Sequence, residues 1–488
     1  MLNLNNHPKA LWRLFFTEMW ERFSFYGLNA IVILYITNVI GIPANTALII
    51  TGSYITYVYL STTIAGYLAD RLYGYYRVVF MGGIFIFFGH ISLALSGMNF
   101  ALFYLGLGLI ATGTGLLKPN VSVMVGKLYG DDEEKRSEGF NIYYLGINIG
   151  AFIAPFIVGF TAQKINWHLG FGLAAIGMFI GLVIFRLGYA TYPDNCKEIK
   201  LEKLNKTYAG IKLTYLIYAL LIVISLFFAL VLSNPIESGL VMTVCLIALV
   251  IYILSIWKKL EKGDKKNVGF ILLLSLFSLT YWTLSNQVIS TIPLFIDRVV
   301  NTNILGFHFP ASSIGGFYSL LLIIFAPIIG WLWMWLAKIG RNPNYAEKFI
   351  YGLVSAALAF IVLLIGIWLN VSIGKMSIIW ILMSYAFLVF GELFISPNGL
   401  ALVTSYSPKH MTGIMMGLWW MINAFAGYTA ALVGNTIGFQ GTDKLSVTEQ
   451  LRIFEGGFFR VCVGVVIACI ILLSIKKYFK KHRQDTRY

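Results

Sequence analysis

About fourteen apolar runs, each of roughly 20 residues or more, follow one another through this chain. They lie near 10–38, 45–70, 77–97, 100–126, 138–162, 168–191, 211–233, 237–257, 267–296, 313–337, 347–370, 376–405, 411–436 and 453–475. A run of about 20 apolar residues is one helical crossing of a bilayer, and no soluble core buries fourteen of them. The expected fold is therefore an all-α integral membrane bundle. Charged residues make up 12% of the chain, against about 25% in soluble domains. The net charge of +15 would suit nucleic acid, but the basic residues sit between the apolar runs, as membrane topology requires. The four cysteines, Cys196, Cys245, Cys462 and Cys469, have neither metal-ligand nor disulfide-framework spacing. The first run is too long and too charged for a cleavable signal peptide.

Turns such as 41–45 and 233–237 are short, so many neighbouring spans are antiparallel. An even number of spans puts both termini on one side. Alternate loops, with both termini, carry about 27 Lys and Arg against five in the others, Lys164, Arg298, Lys375, Lys444 and Arg452. The positive-inside rule makes the first set cytoplasmic. Two charged stretches, Pro193–Lys212 and Lys258–Lys266, bracket a pair of spans without intramembrane charge. This divides the chain into a six-helix bundle at 1–192, a linker with two extra helices at 193–265, and a second six-helix bundle with a basic tail at 266–488. A six-plus-six arrangement with binding between the halves is that of a transporter. Gly66-Tyr-Leu-Ala-Asp70-Arg71-Leu-Tyr-Gly74-Tyr-Tyr-Arg77 has a degenerate echo at Gly330–Arg341.

Ionisable residues inside spans are the functional candidates, because each costs about 2.5–3.5 kcal/mol or more at the bilayer centre unless paired or wet. Glu18, Glu21 and Arg22 are spaced i, i+3, i+4 and share one helix face. They must point inward, to a cavity or to one another, or form a structural ion pair between helices. Lys118 precedes Pro119 and Asn120 in the fourth run. Glu392 lies in Gly391-Glu-Leu-Phe-Ile-Ser396-Pro397 of the second half. A Lys118–Glu392 pair broken by protonation would link a proton to a gate. Asn148 can serve a peptide bond or a helix contact equally. His90 reads as a packed residue, and Arg186 as one that reaches the interface.

These motifs resemble the proton-dependent oligopeptide transporter family of the major facilitator superfamily. The match rests on Glu18-x-x-Glu21-Arg22-Phe-x-Phe-Tyr26-Gly27, on Leu-Lys118-Pro-Asn-Val-Ser, on Phe140–Ala154 and on Gly391-Glu392-Leu-Phe-Ile-Ser-Pro. It runs over nearly the whole length. The resemblance implies a twelve-helix core plus two inserted helices, and proton-driven import of di- and tripeptides by alternating access, with no cofactor. It assigns Glu18, Glu21 and Arg22 to proton coupling, which the Lys118–Glu392 pair read above would join, with Arg22 and Lys118 near the peptide carboxylate and Glu392 facing its amino end. Arg22, Tyr26, Tyr59, Lys118, Asn148, Glu392, Ser396 and Trp419 would bind the peptide. The expected partners are peptides, protons and membrane lipids around a monomer in a bacterial inner membrane.

Two departures stand out. Asn29 and Asn286 occupy positions where the family usually has an Arg and a Glu that form an outer gate. An amide hydrogen bond is expected to replace that ion pair. Tyr318-Ser319 stands where relatives often carry Asn-Pro. The same fold carrying an amino acid, organic anion or drug is the alternative, and a peptide sensor without transport is another. A membrane enzyme finds no metal cluster, activated nucleophile or phosphate loop in the sequence.

Overall fold

The computed structural model describes residues 7–199 and 201–482. Lys200 and the end of the basic tail, 483–488, lie outside the described residues. Helix makes up 82% of the structure, an all-α membrane fold. Among the described residues, twelve helical segments are long and apolar enough to cross a membrane. The first, Ala44–Ala94, has 51 residues. At 1.5 Å per residue it extends about 77 Å, enough for two crossings. Lys9–Asn38, a 30-residue helix, is outside the dozen because of its charges. That helix and the second crossing bring the total to the fourteen expected. Strand is confined, among the described residues, to three ribbons of two-residue strands.

The elements begin with α1 (Lys9–Asn38) and α2 (Ala44–Leu60). Ser61 ends α2, its hydroxyl donating to the carbonyls of Val58 and Ala111, each at 2.8 Å. Then come α3 (Thr62–Leu68), a π turn Ala69–Tyr73, and α4 (Gly74–Ala94). Next are α5 (Ala101–Lys127), α6 (Glu133–Ala154), α7 (Phe160–Lys164) and α8 (Trp167–Leu187). Asp132 caps α6, accepting from the backbone N–H of Lys135 at 3.0 Å. A short α9 (Leu201–Leu204) precedes α10 (Leu213–Ser233) and α11 (Pro235–Lys259). The rest comprises α12 (Lys262–Ser285), α13 (Thr291–Val299), α14 (Gly315–Lys338), α15 (Tyr345–Asn370), α16 (Ile379–Tyr406), α17 (Thr412–Ala424), α18 (Ala426–Asn435) and α19 (Val447–His482).

The chain divides into two compact units. One holds residues through Tyr35, with Ser53–Gly239 and Ser312–Ser319. The other holds Ile36–Gly52, Leu240–Ala311 and the chain from Leu320 onward. The core of the first unit gathers Leu14, Val79, Val121, Met124 and Phe185 from four of its helices, all nearly inaccessible. The extra helix α10 belongs to this unit. Ser225 on α10 donates to the Thr112 hydroxyl on α5 at 2.9 Å, and Phe228 stacks on Tyr57 at 4.7 Å. The second extra helix, α11, falls in the other unit and buries few of its side chains. In that unit Gln287 ties α12 to α18, donating to the carbonyls of Thr283 and Ala430 at 3.0 Å each.

The turn before α4 docks the linker that follows α8. Gly74 has φ +73°, where a side chain is strained, and a Cβ there would collide with the carbonyls of Glu198 and Cys196. Asp70 in the same turn accepts from the Tyr75 hydroxyl. Cys196 is wholly buried under this contact. Burial pushes its thiol up to about 11, against a smaller pull from Lys127 and Lys197.

Candidate functional site

On α1, Glu18, Glu21 and Arg22 are at most 2% exposed. Helical spacing places them on one face, and Arg22 closes on both carboxylates. Its Nε donates to Glu21 and stands 3.2 Å from Glu18 Oε1. The guanidinium lies over the Phe25 ring, 4.9 Å from its centroid. A second oxygen on each carboxylate and the Arg22 Nη2 are buried without a hydrogen-bond partner among the described residues. The spacing alone suits either of two roles, and each buried polar atom left without a partner costs about 1–3 kcal/mol.

Two helices hold the cluster in place. Gly150 on α6 lets that helix approach α1 so closely that a Cβ would strike the Met19 carbonyl and crowd the Arg22 side chain. Tyr143, one to two turns earlier on α6, and Tyr54 on α2 both lie within electrostatic reach of Glu21 and Arg22. The Tyr54 hydroxyl is buried without a hydrogen-bond partner among the described residues. Tyr54 escaped the sequence analysis because α2 is rich in tyrosine and nothing marks the one that turns toward the charges.

Lys118 is half-buried on α5. Its ammonium is 3.3 Å from the Tyr59 hydroxyl and 4.4 Å from that ring's centroid, and its charge also acts on Glu21. Pro119 deletes one helical N–H, and Asn120 secures the backbone beside it by donating to the Leu116 carbonyl at 2.7 Å. Tyr26 is half-buried against Phe25, and Asn148 donates to the Tyr144 carbonyl at 2.9 Å. The first unit thus gathers Glu18, Glu21, Arg22, Lys118 and Tyr59 into one charged neighbourhood. Asn29 is buried farther along α1, and neither amide atom has a hydrogen-bond partner among the described residues.

The second unit carries Glu392, half-buried on α16, with Ser396 one turn on. Pro397 breaks the α16 ladder as Pro119 breaks that of α5, and Asn398 repeats the remedy, donating to the Phe394 carbonyl at 2.9 Å. Lys348 on α15 donates to Asn398 Oδ1 at 3.0 Å and lies over Trp333 at 4.9 Å. Fifty residues separate the two partners, so no local pattern announces the pair. Trp419 on α17 is 3% exposed and packs edge-on to Phe349 across Gly399. Asn286 begins a 3₁₀ turn after α12 and is half-buried.

Residues 76–442 match the model of the POT family. The chain is 37% identical to an uncharacterized transporter of Bacillus subtilis over 86% of each chain. It is 32% identical to the di-/tripeptide transporter of Lactococcus lactis over the full length of both. Among solved structures, a mutant of a peptide transporter POT in complex with alafosfalin superposes with a TM-score of 0.84 at 34% identity, covering 98% of this chain and 96% of that one. A POT family transporter in complex with 5-aminolevulinic acid gives 0.82 at 28% identity, covering 97% and 98%. The fold is that of the major facilitator superfamily, and the chain is a transporter rather than an enzyme. It belongs to the POT family, the proton-dependent oligopeptide transporters.

Proposed function

We propose that this chain is a proton-coupled symporter that imports di- and tripeptides across a bacterial cytoplasmic membrane, as a monomer with both termini in the cytoplasm. The observation that carries the reading is the buried Glu18–Arg22–Glu21 cluster with Lys118 acting on it. With all four ionised the group is neutral. One added proton leaves it net positive and frees part of the Arg22 fork, which then takes the peptide carboxylate, with Lys118 as the second cation. Glu392 in the other unit takes the peptide ammonium, and Tyr26, Tyr59, Asn148, Ser396 and Trp419 complete the pocket. Residues 1–192 and 266–488 act as the two moving halves, and the 193–265 segment is accessory. The peptide class is supported by the di-/tripeptide transporter of Lactococcus lactis and by the peptide transporter of Yersinia enterocolitica, 33% identical over 96% of this chain.

The test is uptake of labelled dialanine into proteoliposomes with and without an inward proton gradient. The wild type concentrates the peptide only with the gradient. Glu21→Gln loses at least about tenfold of gradient-driven uptake, as expected for a lost proton-transfer group, yet still exchanges labelled for unlabelled peptide at equal pH. No uptake by folded wild type, with thermal stabilisation by another solute, would shift the substrate class. Full gradient-driven uptake by the variant would remove Glu21 from coupling.

A further inference from the structure

The end of α19 nearest its start packs against the end of α15, and the two helices bound a cleft of about 470 Å³. This lies within the roughly 300–1,000 Å³ of small-molecule sites. Its walls are apolar, with Leu364 and Trp368 from α15 and Phe459 from α19. Trp368 is 67% exposed and Phe459 60% exposed, on helices that cross the membrane, so these rings face lipid. Trp368 stands two residues from the end of α15, where an aromatic marks the headgroup level. Gly456 floors the cleft. A Cβ there would meet only the Arg460 guanidinium, at 3.7 Å.

The rim carries opposite charges. Arg452 and Glu455 both line the cleft, one helical turn apart on the same face. Neither makes an ion pair or a hydrogen bond among the described residues. A cation and an anion about 4.5 Å apart along the axis, and not paired with each other, suit a zwitterion whose two charges are joined by a short link. A peptide at this lipid-facing position would expose its backbone to hydrocarbon, which disfavours it. We propose that the α15–α19 cleft binds one phosphatidylethanolamine, its phosphate on Arg452, its ammonium on Glu455 and an acyl chain across Gly456.

The headgroup supplies the discrimination. The primary ammonium has three N–H donors from which to serve a carboxylate, a trimethylammonium none, and a glycerol headgroup brings no positive charge to Glu455. Native mass spectrometry of the purified full chain, titrated with dioleoyl phosphatidylethanolamine, phosphatidylcholine or phosphatidylglycerol, reads this directly. The wild type should retain one phosphatidylethanolamine at about a tenth of the concentration needed for the other two, as one charge-assisted bond allows. Glu455→Gln should erase the preference over phosphatidylcholine, and Arg452→Gln should weaken all three. Gly456→Leu should abolish the bound lipid while the helix gains in propensity and the fold is kept. Equal retention of the three lipids by the wild type, or an unchanged preference in Glu455→Gln, overturns the proposal. So does loss of a dimer in Gly456→Leu without loss of lipid, which would make the cleft a contact between copies.

Discussion

At the scale of single residues, the argument turns on Arg22. Its Nε meets two carboxylates at once from a planar guanidinium, and a lysine, as a compact point charge, cannot reproduce that planar fork. Arg22→Lys should keep the net charge but cut dialanine uptake at least about tenfold, in keeping with the loss of a charge-assisted hydrogen bond at a fixed geometry. Arg22→Gln should in addition destabilise the chain by about 3–5 kcal/mol, because it leaves two carboxylates buried together. Thermal unfolding in detergent separates the two variants, and wild-type uptake by Arg22→Lys would end the claim that both carboxylates need the fork. The triad was legible in the sequence because charge inside an apolar run is rare, and helical spacing then fixed its common face. Lys118 and Glu392 stood out for the same reason. Tyr54 and the Lys348–Asn398 pair did not. Which tyrosine of α2 turns toward the triad depends on how α2 is rotated against α1, and a contact between α15 and α16 depends on tertiary packing.

At the scale of elements, the linker after α8 offers a local reporter. Gly74 admits the carbonyls of Cys196 and Glu198, and this contact buries the Cys196 thiol and raises it to about 11. At pH 7.5 such a thiol is almost wholly protonated as well as covered, and the thiolate is the reactive form. In a chain with Cys245, Cys462 and Cys469 changed to serine, Cys196 should resist maleimide. Gly74→Ala should dislodge the linker and raise the labelling rate at least about tenfold, because the thiol regains a pKa near 8.5 on exposure. Equal rates in both chains would mean that the turn does not hold the linker. The sequence marked Gly74 as part of a loop motif but not what rests on it. It also read 267–296 and 411–436 as single runs, where the structure breaks each helix, at Asn286–Ile289 and at Phe425. The first break precedes Pro293, which cannot bond the Ile289 carbonyl, a signal the apolar run masked; the second has Gly427 two residues on and no proline.

At the scale of the whole molecule, the count of fourteen crossings rests on α1. Hydropathy passes over this helix because five ionisable residues, Lys9, Arg13, Glu18, Glu21 and Arg22, lower its average. Two of these lie in its first turns, where they can reach the interface; Arg22 offsets one of the two interior carboxylate charges, and Lys118 of α5, whose charge acts on Glu21, offsets the other. The charges that hide α1 from an apolarity average are therefore compatible with its crossing the membrane. If α1 crosses, both termini share a side, and the basic excess in alternate loops makes that side the cytoplasm. Green fluorescent protein fused after residue 488 should fluoresce, and alkaline phosphatase fused there should be inactive. Phosphatase inserted beside Lys375 or Lys444 should be active, since those loops would face outward. An epitope before residue 7 should resist protease in intact spheroplasts. Cleavage of that epitope, with a fluorescent C-terminus, would mean thirteen crossings and a first helix outside the bilayer. The triad could not then lie at the midplane, and the coupling scheme built on it would fall with the topology.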